Sequence, residues 1–493
     1  MIERQITDIR DTATRISGDA ARGFVARLWS LCNILRGDGV GYNQYISELT
    51  YLLFLKLAEE TEAESLLPDG YRWSDLVRYD GPNLLGHYQE FLTHLGAAAE
   101  SELVRSIYTF PTTVFSHSEN LKAVIAGIDA LNWHSLTADA IGVVYEGLLA
   151  KNSEDSRSGA GQYFTPRALV DSMVACTRPD LGEIIQDPSA GTGGFLISAD
   201  QFIRNKRGMA AYQANPPRYE GMEIERGTHR LCLMNAFLHG MNAKIYLGDT
   251  LTTDAEKLSE ADVVLANPPF GSRTAGMRSA REDIAHTSSN RQLQFLQHIY
   301  RALRPGGRAA VVVPDNVLFE RGLAQKVREE LTELCDLRMM LKLPTGIFYA
   351  QNVSTHVLYF ERSGTAFPAT REVWLYDLRS GMPRFNKRRP LARQDLETFE
   401  RAFEQVRGGG ELNGTEDDRL KRFTRAQVVE HLDEVATGWL DADRDIAGDL
   451  AQEDVHEALQ QMLTSLDWIS GELGEVLEAL AAGPGIKPER QKP

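Results

Sequence analysis

Between Glu183 and Phe360 the chain alternates short apolar runs with amphipathic stretches, and this alternation restricts its fold more than any other feature. The runs Glu183 to Asp187, Arg218 to Ile224, Lys244 to Leu247, Val263 to Ala266, Arg308 to Val313, Leu337 to Leu343 and Thr355 to Phe360 have the length and composition of buried strands. Helical periodicity fills Gly194 to Asn205, Thr228 to His239 and Leu293 to Leu303. A strand that runs into a helix must cross back over the sheet, so the alternation predicts an α/β fold around a mainly parallel, doubly wound sheet. The last two runs are joined by a loop alone, which predicts an antiparallel pair at one edge.

Upstream, Phe24, Leu28, Leu31 and Leu35 form a helical stripe ended by Gly37, and Tyr45, Leu49, Leu52 and Leu53 begin another. Residues 1–150 are therefore predicted to be a helical domain, without clustered catalytic residue types. Lys151 to Gly161 is polar and rich in Gly and Ser, a linker into the α/β unit of residues 151–380. In the remaining extension, 381–493, Val455, Leu459, Met462, Leu466, Ile469, Leu473, Val476 and Leu480 alternate spacings of four and three. That is the seam of a coiled coil, or the buried stripe of a helix packed on its own domain. Gly471 and Gly474 weaken it as an isolated helix, so it needs a partner in cis or in trans.

Composition removes several function classes. No apolar run reaches the length of a membrane span and Met1-Ile2-Glu3-Arg4 is no signal-peptide opening, which predicts a cytoplasmic protein with no membrane partner. Cys32, Cys176, Cys232 and Cys335 lie far apart, so buried thiols are expected rather than disulfides or structural zinc. The net charge of −16 argues against a surface that is one nucleic-acid footprint. If the chain works on DNA, a local basic face or another subunit must hold the phosphates.

The residues with chemistry stand at the ends of the predicted strands, where open α/β sheets bind their ligands. Asp187-Pro188-Ser189-Ala190-Gly191-Thr192-Gly193-Gly194 leads from the first strand into a helix whose free N–H groups a ligand can approach. It is neither a P-loop nor a dinucleotide Gly-x-Gly-x-x-Gly. Glu223 and Asp249 end the next two strands. Each acid alone is as well explained by a turn or helix cap; together they outline a nucleoside pocket. Asn267-Pro268-Pro269-Phe270 follows the fourth run. It is either a turn, or a site where an amide, a carbonyl and a ring hold one planar amine. Thr165 is expected to cap a helix opened by Pro166.

In their order, Gly161 to Pro166, Asp187 to Gly194, Glu223, Asp249 and Asn267 to Phe270 resemble an S-adenosylmethionine-dependent DNA adenine-N6 methyltransferase. Gln162-Tyr163-Phe164-Thr165-Pro166, Pro314-Asp315-Asn316-Val317-Leu318-Phe319 and Leu343-Pro344-Thr345-Gly346-Ile347-Phe348 are similar to the modification (M) subunit of type I restriction-modification systems. The likeness is close over about Gly159 to Arg362 and looser over the helical region. It implies a Rossmann-like class I methyltransferase sheet and S-adenosylmethionine as cofactor, with no metal. It further implies that Gln162, Tyr163, Phe164 and Thr165 flank the methionine moiety. The loop with Asp187, Ser189, Gly191, Thr192, Gly193 and Gly194 would hold the amino-acid end, Glu223 the ribose and Asp249 the adenine. Asn267, Pro268, Pro269 and Phe270 would be catalytic, receiving an adenine flipped out of double-stranded DNA.

No long segment of the size of a target-recognition domain follows the last predicted strand. The resemblance accordingly implies a specificity (S) subunit serving two M subunits, to which a restriction (R) subunit can add. The stripe Val455 to Leu480 is the candidate contact with S, testable by charged substitutions at Leu466 and Leu473. Arg273, Arg278 and Arg281 are read either as phosphate clamps or as a solvated loop. Competing readings are a protein-glutamine N-methyltransferase, a cofactor-binding scaffold without activity, and a methylase that acts without partners.

Overall fold

A computed structural model of the chain describes residues 22–36, 39–79, 81–136, 138–155, 165–271, 281, 283–286, 289–348, 354–364, 367–379, 382, 385–386, 389–408 and 418–430. Gln162, Tyr163, Phe164, Arg273, Arg278 and the stripe from 455 to 480 lie outside the described residues. All seven predicted runs form strands, and two more join them: β1 (Ile184–Asp187), β2 (Arg218–Glu223), β3 (Ala243–Leu247), β4 (Ala261–Ala266), β5 (Leu303–Pro314), β6 (Cys335–Lys342), β7 (Thr355–Arg362), β8 (Glu372–Asp377) and β9 (Leu420–Thr424).

The apolar runs are continuous because both faces of the sheet are buried. Side chains alternate across a strand, so neighbours feed opposite cores. Val263 and Leu265 of β4, Ala310 and Val312 of β5, and Val357 and Tyr359 of β7 face one core; Val264, Ala266, Val311, Val313, Leu358 and Phe360 face the other. Helices Arg167–Thr177, Gly194–Arg207, Arg226–Leu238 and Glu397–Arg407 cover the first, and Arg291–Ala302 and Leu323–Leu334 the second.

The sheet order is β3-β2-β1-β4-β5-β7-β6-β8-β9. Strands β1 to β5 pair in parallel, and the chain reverses direction across the sheet between β1 and β4, which opens a crevice at their carboxyl ends. The predicted antiparallel pair of β6 and β7 is present, but β7 is inserted between β5 and β6 and so lies inside the sheet. The margin is instead made by β9, antiparallel to β8. Because β9 and helix Glu397–Arg407 belong to this sheet and its core, the predicted boundary at residue 380 cuts through the α/β unit. A strand paired on one side only tolerates charge, and Leu420-Lys421-Arg422-Phe423-Thr424 gave no strand signal for that reason.

The helical region shares the first core. Helices Tyr42–Glu60, Glu102–Ile107 and Ala138–Asp155 pack on helix Arg226–Leu238, with Phe54 and Phe237 rings 5.1 Å apart. All four cysteines are free and buried. Among the described residues no helix is long and apolar enough to cross a membrane.

Candidate active site

Four strand ends bring the acids and the Asn-Pro-Pro-Phe tetrapeptide to one side of the crevice. At the end of β1, Asp187 is 2% exposed and its Oδ1 accepts the Ser189 N–H at 3.0 Å. The turn beyond it is held to β2 by the Ala190 N–H donating to the Met222 carbonyl at 2.9 Å. Gly191 and Gly193 have φ of +54° and +83°, a region open to glycine at little cost, and a Cβ on Gly193 would stand 3.0 Å from Cys232 Sγ. From β2, Glu223, 7% exposed, reaches back: its Oε2 accepts the Gly191 N–H at 3.0 Å and its Oε1 the Glu225 N–H at 2.8 Å. Burial pushes both carboxyls up to about 7, although their backbone donors oppose the shift.

At the end of β3, Asp249 Oδ1 accepts the Leu251 N–H at 2.9 Å, and Thr250 Oγ1 donates to the Pro188 carbonyl at 2.5 Å, tying this turn to the glycine loop. Ile224, directly after Glu223, is 63% exposed, which is unusual for an isoleucine at a strand end.

At the end of β4, Asn267 turns its Nδ2 to Thr165 Oγ1 at 2.9 Å, while its Oδ1 is buried without a hydrogen-bond partner among the described residues. The Thr165 hydroxyl therefore serves the tetrapeptide and does not cap the helix, whose N-cap is Pro166, with no side-chain cap. The Phe270 ring meets the buried Phe348 ring edge to face, 6.5 Å between centroids. An acceptor in a pocket wall beside an aromatic face suits an amine on a planar ring, and a buried acceptor left unpaired is costly unless a ligand completes it.

Arg281 is not available to DNA phosphates. Its side chain is almost enclosed, donating to Asp283 Oδ1 at 2.8 Å, to the Thr250 carbonyl at 3.0 Å and to His298 Nδ1 at 2.7 Å. Burial holds the His298 imidazole neutral, at about 3, so that it can accept. Of the predicted site residues, Thr165, Asp187, Ser189, Gly191, Thr192, Gly193, Gly194, Glu223, Asp249 and Asn267 to Phe270 converge on this crevice. Ile224 is an addition, Phe348 gains a role that its motif alone did not give, and Arg281, read as a phosphate clamp or a solvated residue, is neither. Ile224 left a sequence signal, an apolar residue directly after a strand-end acid.

The comparisons agree with this geometry. Residues 136–437 match the N-6 DNA Methylase family and residues 24–128 the HsdM N-terminal domain. The chain is 39% identical to the type I restriction enzyme StySPI methylase subunit of Salmonella potsdam, over 95% of this chain and 97% of that one. It is likewise 39% identical to the EcoKI methylase subunit of Escherichia coli strain K12, over 92% and 96%. A chain from a solved type I R-M system superposes with a TM-score of 0.69 at 27% identity, covering 90% of this chain and 98% of that one. The sheet is thus a class I methyltransferase sheet, and the chain belongs to the N-6 DNA methylase family, among the methylase subunits of type I restriction enzymes.

Proposed function

We propose that Asn267 and Phe270 receive a flipped adenine and present its exocyclic amine to a methyl group donated by S-adenosylmethionine. The observation that carries this reading is the buried, unpaired Asn267 Oδ1, with Nδ2 already taken by Thr165. An adenine N6 is a poor nucleophile because its lone pair is delocalised into the ring. With Asn267 Oδ1 and the Pro268 carbonyl accepting its two hydrogens, the nitrogen moves toward tetrahedral geometry, and the two oxygens stabilise the positive charge it gains. Phe270, braced by Phe348, is the ring for the base to stack on.

The residues on the cofactor side fit S-adenosylmethionine. Asp187 and Glu223 are buried carboxylates without a cationic partner among the described residues, Asp187 accepting only a long 3.5 Å hydrogen bond from the Ser189 hydroxyl besides its backbone donor, the Gly191–Gly193 turn lets a ligand approach the backbone, and Ile224 offers an apolar face. When bound, the cofactor supplies an electrophilic methyl group. In this reading the Asp187 to Gly194 loop takes the amino-acid end, Glu223 the ribose hydroxyls, and Asp249 with Ile224 the adenine. We assign the methionine moiety to Gln162, Tyr163 and Phe164, which precede Thr165 in the chain.

The chain works as the M subunit of a complex with an S subunit, which chooses the sequence, and with an R subunit that can join. We assign two M subunits to each S subunit, a cytoplasmic setting, and an α/β unit that runs from about residue 165 to about residue 430, since residues 151–155, expected in the linker, end helix Ala138–Asp155. The local apolar and amide chemistry at Asn267 would also suit a protein glutamine, but family membership favours DNA. The test is Asn267→Ala in the complex with S. Tritiated methyl transfer to DNA is expected to vanish while calorimetric cofactor affinity is retained; equal loss of both would make Asn267 structural. Phe270→Trp is expected to keep part of the activity that Phe270→Ala loses, and indifference to both would remove the stacking role.

A further inference from the structure

The helical region makes a buried polar contact with the element that follows Glu223. Arg230, on the second turn of helix Arg226–Leu238, is 8% exposed. Its Nε donates to the Ile107 carbonyl at 2.7 Å and its Nη1 to Ser47 Oγ at 2.9 Å, and the guanidinium lies 4.2 Å from the Tyr51 ring centroid. Glu48, next to Ser47, is buried as well and accepts from Tyr88 Oη at 2.7 Å and the Val114 N–H at 2.8 Å. Burial pushes its carboxyl up to about 7, and attraction to the Arg230 guanidinium is among the effects that oppose the shift.

A second contact lies one turn earlier. Arg226 places its guanidinium 4.5 Å from the Phe110 ring centroid. Phe110 is 66% exposed and has φ of +46°, which a bulky side chain rarely adopts. Such a backbone persists only where its surroundings over-determine it, and sites of function are where it recurs. The two contacts grip the same end of the helix. That end is continuous with the cofactor crevice: Glu225 caps the helix through the Gly227 N–H at 2.9 Å, and donates its own N–H to Glu223 Oε1 at 2.8 Å.

We propose that Arg230 is a positioning residue for cofactor binding. By clamping the first two turns of helix Arg226–Leu238 to the helical region, it fixes the Glu223–Glu225 turn and so the carboxylate that meets the ribose. The inference rests on the reading of Glu223 as the ribose acid. A ligand-binding group is only as well placed as the shell that supports it, and here the shell is supplied by residues more than a hundred positions upstream.

The test uses the full chain purified with its S subunit, and S-adenosylmethionine as the probe. Arg230→Met is expected to raise the calorimetric Kd and the KM for the cofactor about tenfold, with kcat at saturation changed by no more than about twofold. Arg230→Lys should fall between, since an ammonium keeps the charge but not the fork of donors. Phe110→Ala, at an exposed position, should shift Kd the same way, by about threefold. A folded Arg230→Met protein with unchanged Kd, or with a loss confined to kcat, overturns the proposal. Should Arg230→Met not fold, unchanged Kd and KM in Arg230→Lys overturn it instead. Glu223→Gln separates the two readings. If it leaves Kd unchanged, the ribose assignment fails; if it weakens binding while Arg230→Met does not, the clamp alone fails.

Discussion

Asp187 and Glu223 are carboxylates that the fold buries ahead of any ligand. Their acid groups are held up to about 7, against roughly 4 for such groups in an unfolded chain. Between those values the folded protein binds more protons than the unfolded one, so the stability of the free protein falls as pH rises from about 4 to about 7. A cationic ammonium beside Asp187 favours the ionised form. Cofactor affinity is therefore expected to tighten as pH rises through about 7, and calorimetry from about pH 6 to 8 checks this. Asp187→Asn should flatten that dependence, weaken binding, and raise the stability of the free protein at about pH 8. Thermal unfolding with and without cofactor reads both effects. Gly193→Ala should lower the stability of the free protein by ~1–2 kcal/mol, because a left-handed φ and a Cβ 3.0 Å from Cys232 Sγ strain the turn, and thermal unfolding reads the loss.

At the scale of elements, what could be read from the sequence was what each element carries in itself. Strands β1, β4, β5, β6 and β7 announced themselves because burial on both faces needs apolar runs; β3, at one margin and largely half-buried, was readable from Ile245, Tyr246 and Leu247. The strand-end acids were readable because a strand's end follows from its length. β9 was not, since none of its residues is buried and its charges face solvent. Thr165 misled for a related reason: its motif suits a helix cap, and only the folded chain brings Asn267 to compete for the hydroxyl. Arg230 and Phe110 gave no signal at all, because what defines them lies in another part of the chain. Helix Glu397–Arg407 shows the same dependence. Phe399 is buried against Tyr376 and Tyr359, with ring centroids 5.4 and 5.8 Å away. Phe399→Ala is expected to cost ~3–5 kcal/mol, measured by chemical denaturation. A chain ending at residue 380 should be less stable still, for it also bares the β8 edge.

For the whole molecule, the net charge of −16 sets the division of labour. Phosphate binding draws on released counterions and so on clustered cations. Arg281, the described member of the three arginines after Asn267-Pro268-Pro269-Phe270, is engaged inside the protein. The isolated chain should therefore bind DNA weakly and with a shallow salt dependence, and the complex with S tightly and steeply. Titrations across ionic strength would show it; a steep slope for the chain alone would return DNA binding to this subunit. The hydrogen bond between Thr165 and Asn267 joins residues 102 positions apart. During synthesis the hydroxyl emerges long before the amide it orients, and β1 to β4 must close into the sheet before the two can meet. The pairing proposed to orient the target amine is thus available only to a chain whose sheet has closed from β1 to β4.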